Sequence, residues 1–195
     1  MREVALLSPK SYSLRPGISP GAMTPRRISL MSRQRLDELA RLMDRAFSGN
    51  EHSLLDNIAT VHVDCWDALP QGAKRSIREI TDHVGFFKYL YANHTFKGAD
   101  FNYSDPPANP PPERLTSPAT AAEWLREAHA YSMECVRDLA GDSELDVPRK
   151  AHWGDYVPTY HLIVTMLEHD LYHAGEINRT RALLQDDDGW GTAGE

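Results

Sequence analysis

The sequence predicts an all-α protein, a four-helix bundle with a long crossover between its second and third helices. Three observations carry this expectation. Apolar residues recur every three or four positions in four long stretches. No stretch shows the alternation expected of a strand. Between the two middle stretches lies a segment, 98–116, containing Pro106, Pro107, Pro110, Pro111 and Pro112, too long and too often interrupted for a tight turn. A bundle joined in this way is not simply up-down-up-down.

The first helix is expected over 33–47, with Leu36, Leu39, Leu42, Met43 and Phe47 on one side. The "SGNE" that follows breaks the pattern, and "SLLDNIATV" adds a turn or two before a loop at Pro70 and Gly72. The second long helix covers about 74–95. Ser117 followed by Pro118 marks the start of the third: a hydroxyl cap, then proline at the first helical position. Its stripe is Trp124, Leu125, Ala128, Tyr131, Cys135 and Leu139, and Gly141 can end it. The fourth helix runs over about 158–185.

Residues 1–30, with four prolines, scattered Ser and Gly and no periodicity, are expected to form a disordered tail. The bundle then spans 31–185, and 186–195 forms an acidic flexible tail. One domain suits a chain of 195 residues, 41% hydrophobic and 25% charged. The net charge of -7 opposes non-specific binding to nucleic acid or an anionic membrane. No run approaches the roughly 20 apolar residues of a membrane span. Cys65 and Cys135 form no C-x-x-C motif and read as two buried thiols in a reducing cytoplasm.

The chemistry is concentrated in "LEHDLYHAGEINRTRALL", residues 167–184. At about 100° per residue from His169, His173 falls near 40°, Leu162 near 20°, Met166 near 60° and Ile177 near 80°. Both imidazoles therefore sit in the middle of the apolar stripe, and Glu176 lies beside them. His83 is likewise central to the apolar face of the second helix, near Ile80, Phe87 and Leu90. His94 shares that face but lies roughly 16 Å further along. A buried polar group without a partner costs about 1–3 kcal/mol, so these groups must satisfy one another. One ion bound by all three imidazoles does so; hydrogen bonds to neighbouring side chains are the alternative.

"SIREITDHVGFFKYLYANHTFKG", followed by "HWGDYVPTYHLIVTMLEHDLYHAGEINRTRALL", resembles the DinB-like (damage-inducible) superfamily of metal-binding four-helix bundles over about residues 33–185. The resemblance implies a divalent metal, with His83, His169 and His173 as its ligands, and a long crossover between helices two and three. It also implies, for some members, a low-molecular-weight thiol of the mycothiol or bacillithiol type used in S-transfer, and a homodimer.

Three nitrogen ligands leave a coordination position open, as in catalytic rather than structural zinc sites. The ligand set suits zinc or nickel. The expected function is therefore thiol-dependent S-transfer to a small-molecule substrate. A metal-dependent hydrolase and a non-catalytic metal- or ligand-binding stress-response bundle are the alternatives. Glu176 is the catalytic candidate as a general base, and it could equally be a fourth ligand, a partner for an imidazole N–H, or a salt-bridge partner of Arg179 or Arg181. Asp170, at the edge of the stripe, is expected at the surface. His52, His62, His129, His152 and His161 read as structural or solvent-facing. Trp153 reads either as a pocket wall or as plain packing.

Overall fold

Serine caps start two of the long helices. Ser76 and Glu79 form a reciprocal capping box: the Ser76 amide donates to the Glu79 carboxylate at 2.8 Å, and the Glu79 amide donates to Ser76 Oγ at 3.3 Å. Ser117 and Thr120 repeat the arrangement, with Pro118 at the first helical position. In the computed structural model, which describes residues 32–187 apart from 101 and 103, five α-helices follow in order. They are α1 (Gln34–Phe47), α2 (Leu54–Ala59), α3 (Ile77–Phe96), α4 (Pro118–Arg137) and α5 (Thr159–Gln185). The fold is all-α, as expected, and α1, α3, α4 and α5 are its four long helices.

The expected N-terminal tail, residues 1–30, and residues 188–195 of the expected C-terminal tail lie outside the described residues. The expected helix start at about 74 moves to Ile77, because the Ser76 cap fixes the first turn. One element was not expected. Pro148–Lys150 (β1) pairs antiparallel with Tyr156–Pro158 (β2). Each strand is three residues long and contains a proline, so no alternation can develop. This hairpin delivers the chain to α5: the Thr159 amide and Oγ1 both donate to the Val147 carbonyl, at 3.0 and 2.7 Å.

Around the bundle, α3 packs on α4 and α5, and α1 packs on the same two helices, so α1 and α3 stand at opposite corners. Contacts between α3 and α4 advance together along the sequence: Gly85 lies against Trp124, and Lys88 against His129 and Ser132. The two helices therefore run parallel. A 20-residue helix is about 30 Å long, so the chain must return that distance between them, and the proline-rich crossover does so. It is anchored on the way by Trp124 Nε1 donating to the Pro107 carbonyl and Trp66 Nε1 to the Leu115 carbonyl. A β-carbon at Gly85 would overlap the Trp124 indole, so α3 and α4 approach this closely only because residue 85 is glycine.

The core falls into two clusters. One gathers Ile77, Ile80, Val84, Trp124, Leu125 and Ile177 at one end, and the other gathers Leu36, Met43, Val136, Leu145 and Ile163 at the other. The polar groups of functional interest lie on the helices that connect these ends.

Candidate metal centre

His83 on α3 faces His169 and His173 on α5. Their centroids lie 5.2 Å (83–169), 4.8 Å (83–173) and 4.5 Å (169–173) apart, and each ring offers a nitrogen within 4.8 Å of the others. His83 Nε2 and His169 Nε2 are 3.3 Å apart. Two nitrogens each bound at about 2.0–2.1 Å to a tetrahedral zinc ion are separated by about 3.3–3.4 Å, so this pair already has the spacing of two ligands. A hydrogen bond between the two nitrogens would satisfy that pair but not the third ring. The donor set therefore fits a divalent ion of the zinc or nickel kind.

The electrostatics agree. Burial, and then the neighbouring His173 and His83, push the His169 imidazole down to about 3. Burial, followed by the nearby His173 and Arg75, lowers His83 as well. These two rings are neutral at pH 7 with lone pairs available, as metal ligation requires. His173 Nδ1 donates to Glu176 Oε2 at 2.7 Å, so its Nε2 is the nitrogen left free. Glu176 is thus the hydrogen-bond partner of an imidazole N–H, one of the roles open to it, and its salt bridge is with His173 rather than with Arg179 or Arg181. Arg181 is buried and donates to Asn178 Oδ1 at 2.8 Å.

Aromatic rings frame the cluster. Phe87 lies 4.4 Å from His83 and 5.4 Å from His169, and Tyr91 stands edge-on to His169 at 5.4 Å. The same two rings carry His152, from the turn of the β-hairpin, at 5.8 and 4.9 Å. His152 Nδ1 is buried without a hydrogen-bond partner. The sequence reading took His152 as structural; the hairpin that brings it beside the centre has no periodic signature. His94 is not in the cluster, in line with its separation along α3. Trp153 is 45% exposed and packs edge-on against His152. A groove of about 460 Å³ between α2 and the start of α4, lined by Val61, Val63, Pro118 and Ala122 among others, contains none of the three histidines.

A second buried polar group takes one residue from each long helix. Lys88 on α3 donates to Asp170 Oδ2 on α5 at 2.6 Å. Its ammonium also lies 3.3 Å from His129 Nδ1 on α4, and His129 Nε2 lies 3.0 Å from Asp44 Oδ1 on α1. Burial and the adjacent Lys88 push His129 down to about 3, so the ring is neutral: Nδ1 accepts from the ammonium and Nε2–H donates to Asp44. Burial pushes the Asp170 carboxyl up, and Lys88 pulls it back. The expectation of a surface role for Asp170 is therefore corrected. At 2% exposure it is among the most buried charged groups, because the edge of the α5 stripe faces α3. His129 is structural, as read, stacked on Phe47 at 3.9 Å. His52 and His161 are exposed. Cys65 and Cys135 are buried free thiols, and burial pushes Cys135 up to about 11, which leaves it inert.

Comparison with known proteins follows the same line. A solved structure from Exiguobacterium sibiricum 255-15, reported as a candidate member of the DinB family, aligns with 79% of this chain and 92% of its own. The TM-score is 0.52 and the identity 19%, a likeness of fold alone. No curated protein matches. The sequence profile of the DinB superfamily matches residues 31–177, three quarters of the chain and all three histidines; the chain belongs to the DinB superfamily.

Proposed function

We propose that His83, His169 and His173 hold one divalent metal ion, zinc or nickel, and that the protein is a metal-dependent enzyme transferring a low-molecular-weight thiol to a small electrophile. The observation that carries the reading is the 3.3 Å approach of His83 Nε2 to His169 Nε2, with a third imidazole nitrogen within 4.8 Å. A metal bound by three imidazoles supplies a Lewis acid with an open position, the arrangement of catalytic rather than closed structural sites.

The chain's own residues would do the rest. Glu176 takes the hydrogen bond from His173 Nδ1, fixing that ring's tautomer and orientation. It is about one-third exposed, so the same carboxylate can receive a proton from an incoming thiol. Phe87 and Tyr91 wall the α3 side with apolar surface and suit an uncharged substrate. Both cysteines are buried, which favours a thiol brought in as a co-substrate.

Zinc titration of metal-free protein tests the first half: one ion per chain is expected, and His169→Ala should abolish stoichiometric binding. A panel of low-molecular-weight thiols offered with an electrophile tests the second. Turnover that survives in His169→Ala would refute it, and turnover with water in place of thiol would make the protein a hydrolase.

A further inference from the structure

The outward face of α5 complements a second copy of itself. Thr165, Glu168, Tyr172, Gly175, Arg179 and Ala182 follow one another in alternating steps of three and four residues, the spacing of a coiled-coil seam. None of the six is buried within the bundle, and Tyr172 is 71% exposed. Gly175 sits in mid-helix with nothing within 4 Å of where a β-carbon would be. An exposed glycine there costs about 1 kcal/mol relative to alanine, and its usual compensation is the close approach of another backbone or a bulky ring. Glu168 and Arg179 make no ion pair among the described residues.

These residues fall into pairs with one common midpoint, between His173 and Ala174. Glu168 pairs with Arg179, Tyr172 with Gly175, and Thr165 with Ala182. A two-fold axis through that midpoint lays α5 antiparallel on its copy and brings each residue opposite its pair, in both directions at once. Each layer is then complementary: acid meets base, the largest side chain meets the smallest, and two small residues meet between them. We propose that this face is an interface between two copies of the chain, with α5 packed antiparallel on α5 of the partner. The occupant follows from charge and shape: a face with a single acid and a single base at mirrored positions is matched by its own rotated image. The interface lies on the outside of the helix whose inside carries His169 and His173, and it does not depend on any metal.

Sedimentation equilibrium on the full chain tests the proposal. The wild type should be a dimer with a dissociation constant in the micromolar range or below. Glu168→Arg places four arginines around the axis and should weaken association at least 10-fold; Arg179→Glu should do the same with glutamates. The double reversal, Glu168→Arg with Arg179→Glu, should return the dissociation constant to within about threefold of wild type. Gly175→Leu has room within its own chain and a better helix former, so its melting temperature should not fall, yet it should abolish the dimer. A wild-type monomer overturns the proposal, whether the face is bare or covered by the chain's own N-terminal segment. A dimer indifferent to either single reversal, or not rescued by the double one, places the interface elsewhere and overturns it equally.

Discussion

Two polar clusters lie inside this bundle, and they resolve the cost of burial in opposite ways. The Lys88–Asp170–His129–Asp44 chain carries its own cation: an ammonium between a carboxylate and a neutral ring, closed at the far end by a half-exposed aspartate. The His83–His169–His173 group has nitrogens converging on one point and a single carboxylate, Glu176, behind one of them. The first is complete as a set of side chains. The second has surplus lone pairs and no charge to receive them. A buried cation of the protein's own marks a scaffold; a convergence of neutral donors without one marks a place for an ion from outside.

Removing the internal cation should give the largest effect. Lys88→Met strands the Asp170 carboxylate at 2% exposure and should cost about 3–5 kcal/mol in urea unfolding. Lys88→Met combined with Asp170→Leu should recover most of that loss. If the single variant is as stable as wild type, the cluster is not the closed unit described here.

Acid should come next. Burial and Lys88 hold His129 near 3, whereas a free imidazole titrates near 6.5. Between those values the unfolded chain takes up a proton that the folded chain refuses. The stability this ring contributes is therefore complete above about pH 6.5 and is lost as the pH falls through the window. Metal-free protein should lose about 2 kcal/mol on this account between pH 7 and pH 5, and His129→Gln should flatten the slope by about one proton. Urea unfolding at the two pH values, on both proteins, measures it.

The smallest expected effect sharpens the other side of the comparison. Glu176→Gln keeps a hydrogen-bond acceptor on His173 Nδ1 but removes the charge, and should weaken zinc binding about 10-fold with little change in metal-free stability. Calorimetric titration beside a melting curve separates the two. An unchanged zinc affinity would make Glu176 a bystander.

The unequal legibility of the two clusters has a physical cause. His83, His169 and His173 stand in the centre of apolar stripes, where a polar residue contradicts its own neighbourhood, so one helix at a time suffices to find them. Asp170 lies at the edge of its stripe, where a carboxylate is unremarkable until the helix facing it is known. Lys88 carries no signal of its own, since a lysine stem lies comfortably along apolar surface. The crossover was readable because proline excludes regular structure, and the parallel pairing of α3 and α4 gives that segment its length. The hairpin was not readable, because strands of three residues containing prolines offer no pattern. His152, which it carries to the edge of the metal centre, was hidden with it.

His169 and Asp170 are consecutive residues, and one turn of α5 therefore presents an imidazole to one cluster and a carboxylate to the other. The helix is geared: any roll about its own axis that swings the imidazole away also drags the carboxylate off Lys88 and out of its pairing with α3. The ligand cradle is accordingly set by the scaffold before an ion arrives, and loading calls for adjustment of ring angles rather than travel of helices.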